Sequence, residues 1–141
     1  MTQEKEGWPA PLPTIDSESA AYWQAAHEGY LGIPHCKSCD KYFFYPRAIC
    51  PFCQSKELET ARVSGRGTIY SYTVVRRHPN PAFNARVPYV IALIDLAEGP
   101  RLLTALRSNP EEVKIGSAVE AIFEELSPEI SLPCFKLAVN G

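Results

Sequence analysis

Four cysteines in two closely spaced pairs are the residues of this sequence best suited to do chemistry. Cys36 and Cys39 form one Cys-x-x-Cys pair, Cys50 and Cys53 form a second, and ten residues separate the two pairs. Four thiolates arranged in this way can close around one tetrahedral ion, and they are a recurring ligand set for structural Zn²⁺. The pattern therefore predicts two knuckles of a zinc ribbon that hold a single structural zinc ion.

Other uses of four thiols are less well supported. Disulfides need an oxidising compartment, and the chain opens with Met-Thr-Gln-Glu-Lys-Glu instead of the basic and apolar segments of a secretory signal. A single iron, as in rubredoxins, suits the knuckle at Cys50 and Cys53, although Asp40 and Gln54 stand where rubredoxins usually carry glycine. A catalytic zinc needs an open coordination position, which a complete Cys₄ set lacks. A structural metal is predicted, with zinc preferred and iron left open.

Length and composition limit what else the chain can be. Its 141 residues carry a formal net charge of −2, with a pI of about 5.9, and 45% of them are hydrophobic. The hydrophobic fraction is large enough for the chain to bury a hydrophobic core. The net negative charge argues against a broad surface that binds polyphosphates such as nucleic acids. No apolar run approaches the ~20 residues that cross a bilayer, so a soluble, cytoplasmic protein is expected. The fifth cysteine, Cys134, lies in an apolar stretch and is interpreted as a buried small hydrophobe.

The first part of the chain is predicted to contain an arm, a helix and the metal ribbon. Residues 1–16 are rich in proline, which favours an extended arm. Asp16 can cap a helix, which we assign to residues 17–29 and which the glycine at its end would stop. The zinc ribbon is assigned to residues 30–57, where the aromatic run 42–45 is expected to form a strand that covers the metal.

Residues 58–141 have the pattern of a barrel. β-branched and aromatic residues predict strands at 57–63, 68–77, 89–96, 101–106, 118–125 and 134–139. The last five strands, with a helical turn after the third of them and glycines at the bends, fit an OB-type barrel better than a sandwich. The predicted fold class is mainly β: an N-terminal helix, a rubredoxin-like zinc ribbon and a five-stranded OB-type barrel.

Six short motifs follow one another in a characteristic order. They are Cys36 to Cys39, Tyr45-Pro46-Arg47, Cys50 to Cys53, Gly65-Arg66-Gly67-Thr68-Ile69-Tyr70-Ser71, Pro88-Tyr89 and Glu98-Gly99. In this order the chain resembles the domain-of-unknown-function thirty-five group, from about residue 17 to the C-terminus. The resemblance implies a non-catalytic accessory subunit that assembles with a thiolase-fold enzyme, such as a thiolase, a lipid-transfer-type aldolase or a hydroxymethylglutaryl-CoA synthase, and that helps to hold an acyl-CoA.

Candidate residues for that function come from the chemistry of CoA. The phosphates need cations, and the pantetheine and acyl groups need an apolar groove. The candidate acyl-CoA-binding residues are Arg47, Arg76, Arg77, His78 and Arg86. Tyr22 and Trp23 on the predicted helix are candidate partner-binding residues, with Tyr22 turned aside from the apolar stripe, while the simpler interpretation of Trp23 is that it docks the helix on the ribbon or core.

Two further inferences concern activity. The three histidines, His27, His35 and His78, accompany no recognisable nucleophile motif, so the chain is not expected to be an enzyme. The alternative function is a single-stranded nucleic-acid-binding module, because Tyr70 and Tyr72 are expected to share a strand face on which bases could stack. The net negative charge disfavours this alternative.

Overall fold

A computed structural model describes residues 12–138, so most of the arm predicted for residues 1–16 lies outside the described part. The elements in chain order are α1 (Ala20–His27), β1 (Leu31–Cys36), β2 (Lys41–Tyr42), β3 (Leu58–Val63), β4 (Arg66–Val75), α2 (Pro81–Asn84), β5 (Tyr89–Leu96), β6 (Arg101–Leu106), a 3₁₀ turn (Pro110–Glu112), β7 (Ala118–Glu125) and β8 (Ser131–Leu137). The predicted class, mainly β with an N-terminal helix, a four-cysteine ribbon and a five-stranded barrel, is confirmed, and the strand order of the barrel is closed. Within residues 12–138, no helix combines the length and the apolar character of a membrane span.

The first sheet has three strands in the order β2-β1-β3, and it carries the cysteine ribbon. β3 pairs antiparallel along the whole of β1, from Leu31 opposite Val63 to Cys36 opposite Leu58. By this pairing β3 lies in the ribbon sheet, and the barrel begins with β4, after the boundary that the sequence suggested at residue 58.

β2 is much shorter than the strand predicted over residues 42–45. Only Lys41 and Tyr42 pair with β1, so the prediction is wrong beyond Tyr42. The Phe43 N–H still donates to the Pro34 carbonyl at 3.1 Å, but Pro34 has no N–H to donate in return. The ladder ends there for that reason.

The second sheet closes into a barrel with the strand order β4-β5-β6-β8-β7. Gly67 on β4 is required where this strand crosses β5, because an added Cβ would lie 2.5 Å from the Asp95 carbonyl oxygen. The register of β4 against β5 shifts between Ile69 and Ser71, so Tyr70 is the extra residue of a β-bulge.

Because of the bulge, two tyrosines lie on different faces of β4, although the two-residue period of a regular strand would place them on the same face. Tyr70 is 49% exposed on the outside of the barrel, whereas Tyr72 packs against the barrel core. The prediction that Tyr70 and Tyr72 share a face is therefore wrong, because one extra residue reverses the alternation of side chains.

One hydrophobic core joins the ribbon sheet to the barrel. Leu31, Ile33 and Val63 of the first sheet are buried in the same cluster as barrel residues such as Ile94 and Phe135. A separate, smaller cluster in the ribbon consists of Cys36, Phe43 and Cys50. The base of the ribbon is thus part of the barrel core, and only the knuckles depend on the smaller cluster.

Helix α1 packs across both sheets and starts later than predicted. Asp16 and Ser19 exchange hydrogen bonds, from the Asp16 N–H to Ser19 Oγ at 3.2 Å and from the Ser19 N–H to Asp16 Oδ1 at 2.8 Å. This closed turn occupies the first residues assigned to the helix, and regular α-helix begins at Ala20. Ala25 and Ala26 are buried, and Gly29, with φ of 96°, ends the segment.

Candidate metal centre and ligand cleft

The four cysteines predicted as metal ligands lie together. Their Sγ atoms are all within 4.8 Å of one another. The sulfurs of Cys36 and Cys53 are 3.6 Å apart, and those of Cys39 and Cys50 are 3.7 Å apart. All four are free cysteines, and a disulfide would require an S–S distance of about 2.05 Å. The structure therefore brings together the residues that the sequence selected, without disulfide pairing.

The quartet has the dimensions of a tetrahedral zinc site. Zn–S bonds of ~2.3 Å at tetrahedral angles put neighbouring sulfurs about 3.8 Å apart, close to the two distances above. Burial and the neighbouring thiols raise the pKa of Cys39 to about 12. Burial also opposes ionisation of Cys50, but N–H groups of Cys53 and Phe52 lower its pKa to about 6. Four thiolates this close repel one another, so a cation among them is needed for all four to ionise.

The two knuckles are built alike, although neither contains the glycine of rubredoxins. The Asp40 N–H donates to the Cys36 carbonyl at 2.8 Å, and the Gln54 N–H donates to the Cys50 carbonyl at 2.9 Å. Asp40 and Gln54 both have positive φ, 60° and 67°. Asp40 is a short polar residue that tolerates this left-handed conformation, whereas Gln54 adopts it with some strain, so both knuckles keep their shape without glycine.

His35 connects one knuckle to the ribbon sheet, a role that its sequence position did not reveal. Its Nε2 lies 2.7 Å from Asp40 Oδ1, and its Nδ1 lies 2.7 Å from Glu59 Oε2 on β3. These hydrogen bonds, first to Asp40 and then to Glu59, raise the pKa of His35. The ring also contacts the Tyr42 ring in a tilted arrangement, with 4.7 Å between centroids. The carboxylates that hold His35 come from residues 5 and 24 positions away, so only the fold assembles this group.

A cleft of about 770 Å³ lies between the ribbon and the β5–β6 turn. Three cations line it: Lys41 and Arg47 from the ribbon, and Arg101 from the start of β6. Lys41 Nζ lies 4.8 Å from the centre of the Phe52 ring. The other residues that line the cleft are Asp40, Tyr42, Phe43, Phe44, Pro51, Phe52, Glu98, Gly99 and Pro100. The cleft thus combines apolar and aromatic side chains with three cations and two carboxylates, Asp40 and Glu98.

Arg101 is held in a fixed orientation at the edge of this cleft. Its guanidinium pairs with the Asp95 carboxylate through N–O distances of 2.5 and 3.2 Å, and this pairing raises the pKa of Arg101. The same group lies 3.4 Å from the centre of the Tyr70 ring. Lys41 and Arg101 were missed by the sequence reasoning, although Arg101 directly follows the Gly99-Pro100 turn.

The other candidate acyl-CoA residues lie elsewhere. Arg76 and Arg77 follow the end of β4 and are exposed, and neither lines this cleft. The His78 Nδ1 accepts the Asn80 N–H at 3.0 Å, so the ring shapes the loop before α2. Arg86 lies 3.7 Å from Glu124, which also accepts a hydrogen bond from Arg107 at 2.8 Å. Arg47 is thus the predicted cation that the structure places beside the ribbon cleft.

The two candidate partner-binding aromatics are half-buried and pack against hydrophobic clusters of the molecule. Tyr22 contacts Phe44 and Trp23, each at 5.2 Å between ring centroids, and packs against the main core. Burial raises the pKa of its hydroxyl. Trp23 packs against a small cluster around Leu126 and Ile130. The expectation that Tyr22 turns aside from the core-facing stripe is therefore wrong, since successive helix residues here face two different cores.

Cys134 lies inside the molecule. The residue is fully buried on β8, and its Sγ lies 3.7 Å from the Leu132 carbonyl oxygen. Burial raises its pKa, which leaves the thiol protonated and a poor nucleophile.

Comparison with known proteins identifies the family. The model for the rubredoxin-like zinc ribbon domain of ChsH2 matches residues 23–59, and that for the C-terminal OB-fold domain of ChsH2 matches residues 60–124. A solved structure described as "Ltp2-ChsH2(DUF35) aldolase" has a TM-score of 0.81 and 38% sequence identity, and the match covers 91% of this chain and 100% of that chain. The chain belongs to the DUF35 family. Its match to a zinc ribbon model favours zinc over iron at the quartet of this DUF35 chain.

Curated relatives of this DUF35 chain carry several descriptions. A Methanocaldococcus jannaschii protein described as a DUF35 domain-containing scaffold protein is 40% identical over 76% of this chain and 77% of its own length. A probable enoyl-CoA hydratase alpha subunit of Thermomonospora curvata is 37% identical over 99% of this chain, which spans only 43% of that relative. The benzoylsuccinyl-CoA thiolase subunit BbsA of Thauera aromatica is 31% identical over 64% of this chain and 61% of its own length.

Proposed function

We propose that this DUF35 chain is a non-catalytic accessory subunit that assembles with a thiolase-fold enzyme of acyl-CoA or lipid metabolism. We also propose that Cys36, Cys39, Cys50 and Cys53 hold one structural Zn²⁺. The observation that carries the first proposal is the 38% identity to the DUF35 chain of an aldolase, which is covered over its whole length. The thiolase subunit and the scaffold proteins among the relatives support it.

The side chains of the described residues support a non-catalytic role. His35 is held between two carboxylates beside the quartet, and the His78 Nδ1 accepts a backbone N–H. Cys134 is fully buried with a raised pKa. Among residues 12–138, none of these groups forms a nucleophile–base pair in a cleft, which general acid–base or covalent catalysis would need.

The cleft between the ribbon and the β5–β6 turn is our proposed contribution to acyl-CoA binding. Lys41, Arg47 and Arg101 would contact the phosphates, and the aromatic side chains of the lining would contact apolar parts of the ligand. Arg76, Arg77, His78 and Arg86 would act only if the partner brings part of the ligand to the other side of the barrel.

The assembly is tested by purifying the tagged full chain from its native host at native expression level. Recovery of a stoichiometric thiolase-fold subunit supports the proposal, and absence of such a subunit contradicts it. Calorimetry with acetyl-CoA on the resulting complex tests the cleft. Arg47→Ala is expected to weaken binding by about tenfold, which corresponds to ~1.4 kcal/mol for one charged contact.

Arg62→Ala is the matched control for the cleft. Arg62 is also an exposed arginine, but its guanidinium lies 4.8 Å from the Tyr30 ring centre and does not line the cleft. Equal loss of affinity in both variants would mean that nonspecific charge, and not the cleft, binds the ligand. Salt-sensitive binding of single-stranded oligonucleotides by the isolated chain would instead favour the nucleic-acid alternative.

A further inference from the structure

Strand β6 has one edge that the rest of the barrel leaves largely unpaired. Along its first edge, β6 pairs with β5 from Arg101 to Leu106. On the other edge, within the described residues, β8 pairs with β6 at a single position, Leu106 opposite Phe135. The barrel therefore has an open seam between the first part of β6 and the first part of β8.

The direction of the backbone groups along β6 follows from one hydrogen bond. The Arg107 N–H donates to the Phe135 carbonyl of β8 at 2.7 Å. Backbone groups alternate between the two edges of a strand, so Ala105 and Leu103 direct their N–H and C=O groups to the same edge as Arg107. The N–H and C=O of Leu103 consequently lie at the seam, where no β8 residue pairs with them.

Pro133 removes one of the hydrogen bonds that would continue the β6–β8 ladder. Phe135 faces β6, so Pro133, two residues earlier on β8, faces β6 as well. In a continued parallel ladder this residue would donate its N–H to the Leu103 carbonyl, and proline has none to donate. On its opposite edge, Pro133 keeps its place opposite Phe123 of β7. One proline thus interrupts the β6–β8 ladder while the β7–β8 ladder continues.

The seam contains an apolar groove of about 280 Å³. Its walls include Tyr22 of α1, Leu132 and Pro133 of β8, and Leu103 of β6. Leu103 is 55% exposed, and it also lines a second depression, of about 180 Å³, on the outer face of β4 and β5. Apolar surface and unpaired backbone therefore occur together at Leu103.

This combination selects one kind of occupant. An acyl chain would fill the groove but leave the Leu103 N–H and C=O without hydrogen bonds, and a helix has no free backbone groups along its side. A second copy of this chain would have to offer its own β6, whose edge is recessed between α1 and β8. An extended segment of another polypeptide has both the backbone groups and the alternating side chains that the seam requires.

We propose that the open edge of β6, centred on Leu103, binds an extended strand of the partner enzyme as an added β-strand. This inference rests on the proposed function, since the strand belongs to the enzyme subunit with which the chain assembles.

Amide hydrogen exchange by NMR tests the geometry directly. In the isolated chain the Leu103 amide is expected to exchange fast, whereas the Leu102 and Thr104 amides, which face β5, exchange slowly. In the complex purified with the thiolase-fold subunit, the Leu103 amide becomes protected by at least about tenfold. A complex in which the Leu103 amide exchanges as fast as in the isolated chain overturns the inference.

Three variants separate backbone pairing from apolar contact. Leu103→Pro removes the N–H at the seam without removing a hydrogen bond to β5, and it is expected to weaken binding of the enzyme subunit by about tenfold or more. Leu103→Ser keeps the N–H, so it is expected to lose less affinity for the enzyme subunit than Leu103→Pro. Pro133→Val restores the missing donor, so the β6–β8 ladder can close and exclude the incoming strand, which weakens binding while the barrel stays folded.

The outcomes are distinct from those that test the proposed function. If the wild-type chain recovers no thiolase-fold subunit, the proposed function fails and the inference falls with it. If the complex forms and Pro133→Val binds as tightly as wild type, the inference alone fails, even where Leu103→Pro does not fold. If Leu103→Ser loses as much affinity for the enzyme subunit as Leu103→Pro, the seam binds through apolar contact and not through strand addition. Sedimentation that shows a dimer of the isolated chain, abolished by Pro133→Val, would assign the seam to a second copy.

Discussion

Replacing Cys50 by serine tests how far the metal stabilises this protein. Cys50 is fully buried, and its sulfur is part of the quartet. The small buried cluster at the knuckles consists of Cys36, Cys50 and Phe43, with Cys39 and Leu58 against them, so Phe43, which is 3% exposed, is its one large buried side chain. Burial of Phe43 contributes about 1.5–3 kcal/mol. Structural zinc supplies roughly 10–16 kcal/mol in zinc-finger peptides, so loss of zinc cannot be offset by this packing.

The expected result is local unfolding of the knuckles with a folded barrel. Leu31 and Ile33 of β1 belong to the main core, which contains no metal ligand, so the cooperative thermal transition should persist. The Gln54 amide, bonded to the Cys50 carbonyl at 2.9 Å, should lose its exchange protection by about tenfold or more. Zinc content, measured by atomic emission, should fall from one ion per chain to well below one.

Cys134→Ser is the matched control, because Cys134 is equally buried but lies outside the quartet. It should keep one zinc and a protected Gln54 amide, while the buried hydroxyl costs about 1–3 kcal/mol of global stability. The reasoning is refuted if Cys50→Ser abolishes the cooperative transition, since the metal would then stabilise the whole molecule. Full zinc content and unchanged protection in that variant would also refute it.

Three other predictions concern the backbone and the helix terminus. Gly67→Ala should destabilise the barrel by about 1–3 kcal/mol in urea unfolding, because the new Cβ meets the Asp95 carbonyl oxygen at 2.5 Å. Gln54→Gly should slow zinc release to a chelator. Glycine adopts the φ of 67° found at this position with up to ~1–2 kcal/mol less backbone strain than glutamine. Faster zinc release from the variant would contradict this. Hydrogen bonds from Ser19 lower the pKa of Asp16 below 3.8, so the contribution of this turn to stability is present above that pH and lost as pH falls through the lowered pKa. The NMR shift of the Ser19 amide should follow this titration, and Asp16→Asn should abolish it.

Much of the fold follows from local sequence signals. The cysteine spacing defines the quartet, because a Cys-x-x-Cys turn brings its two thiols together regardless of the rest of the chain. The β5–β6 hairpin follows from two apolar runs around Gly99, whose φ of 124° suits a turn. These signals act over a few residues, so they survive in the sequence without knowledge of the tertiary contacts.

Predictions from local sequence patterns were wrong where one residue changed the strand register or where the outcome depended on a residue of a neighbouring strand. The strand period put Tyr70 and Tyr72 on one face, but the bulge at Tyr70 reversed the alternation. The aromatic run after β2 resembled a strand, but Pro34 on the neighbouring strand offers no donor to continue the ladder. In both cases the deciding residue or pairing lies on another strand.

The sequence by itself determined the cysteine quartet, the five barrel strands and the family to which their order belongs, because each depends on spacing within short segments. Only the tertiary structure decided that Lys41 and Arg101 join Arg47 at one cleft, that His35 is held by Asp40 and Glu59, and that Pro133 leaves an open edge beside Leu103. These arrangements depend on which strands become neighbours, and strand pairing across a closed barrel is a property of the whole chain.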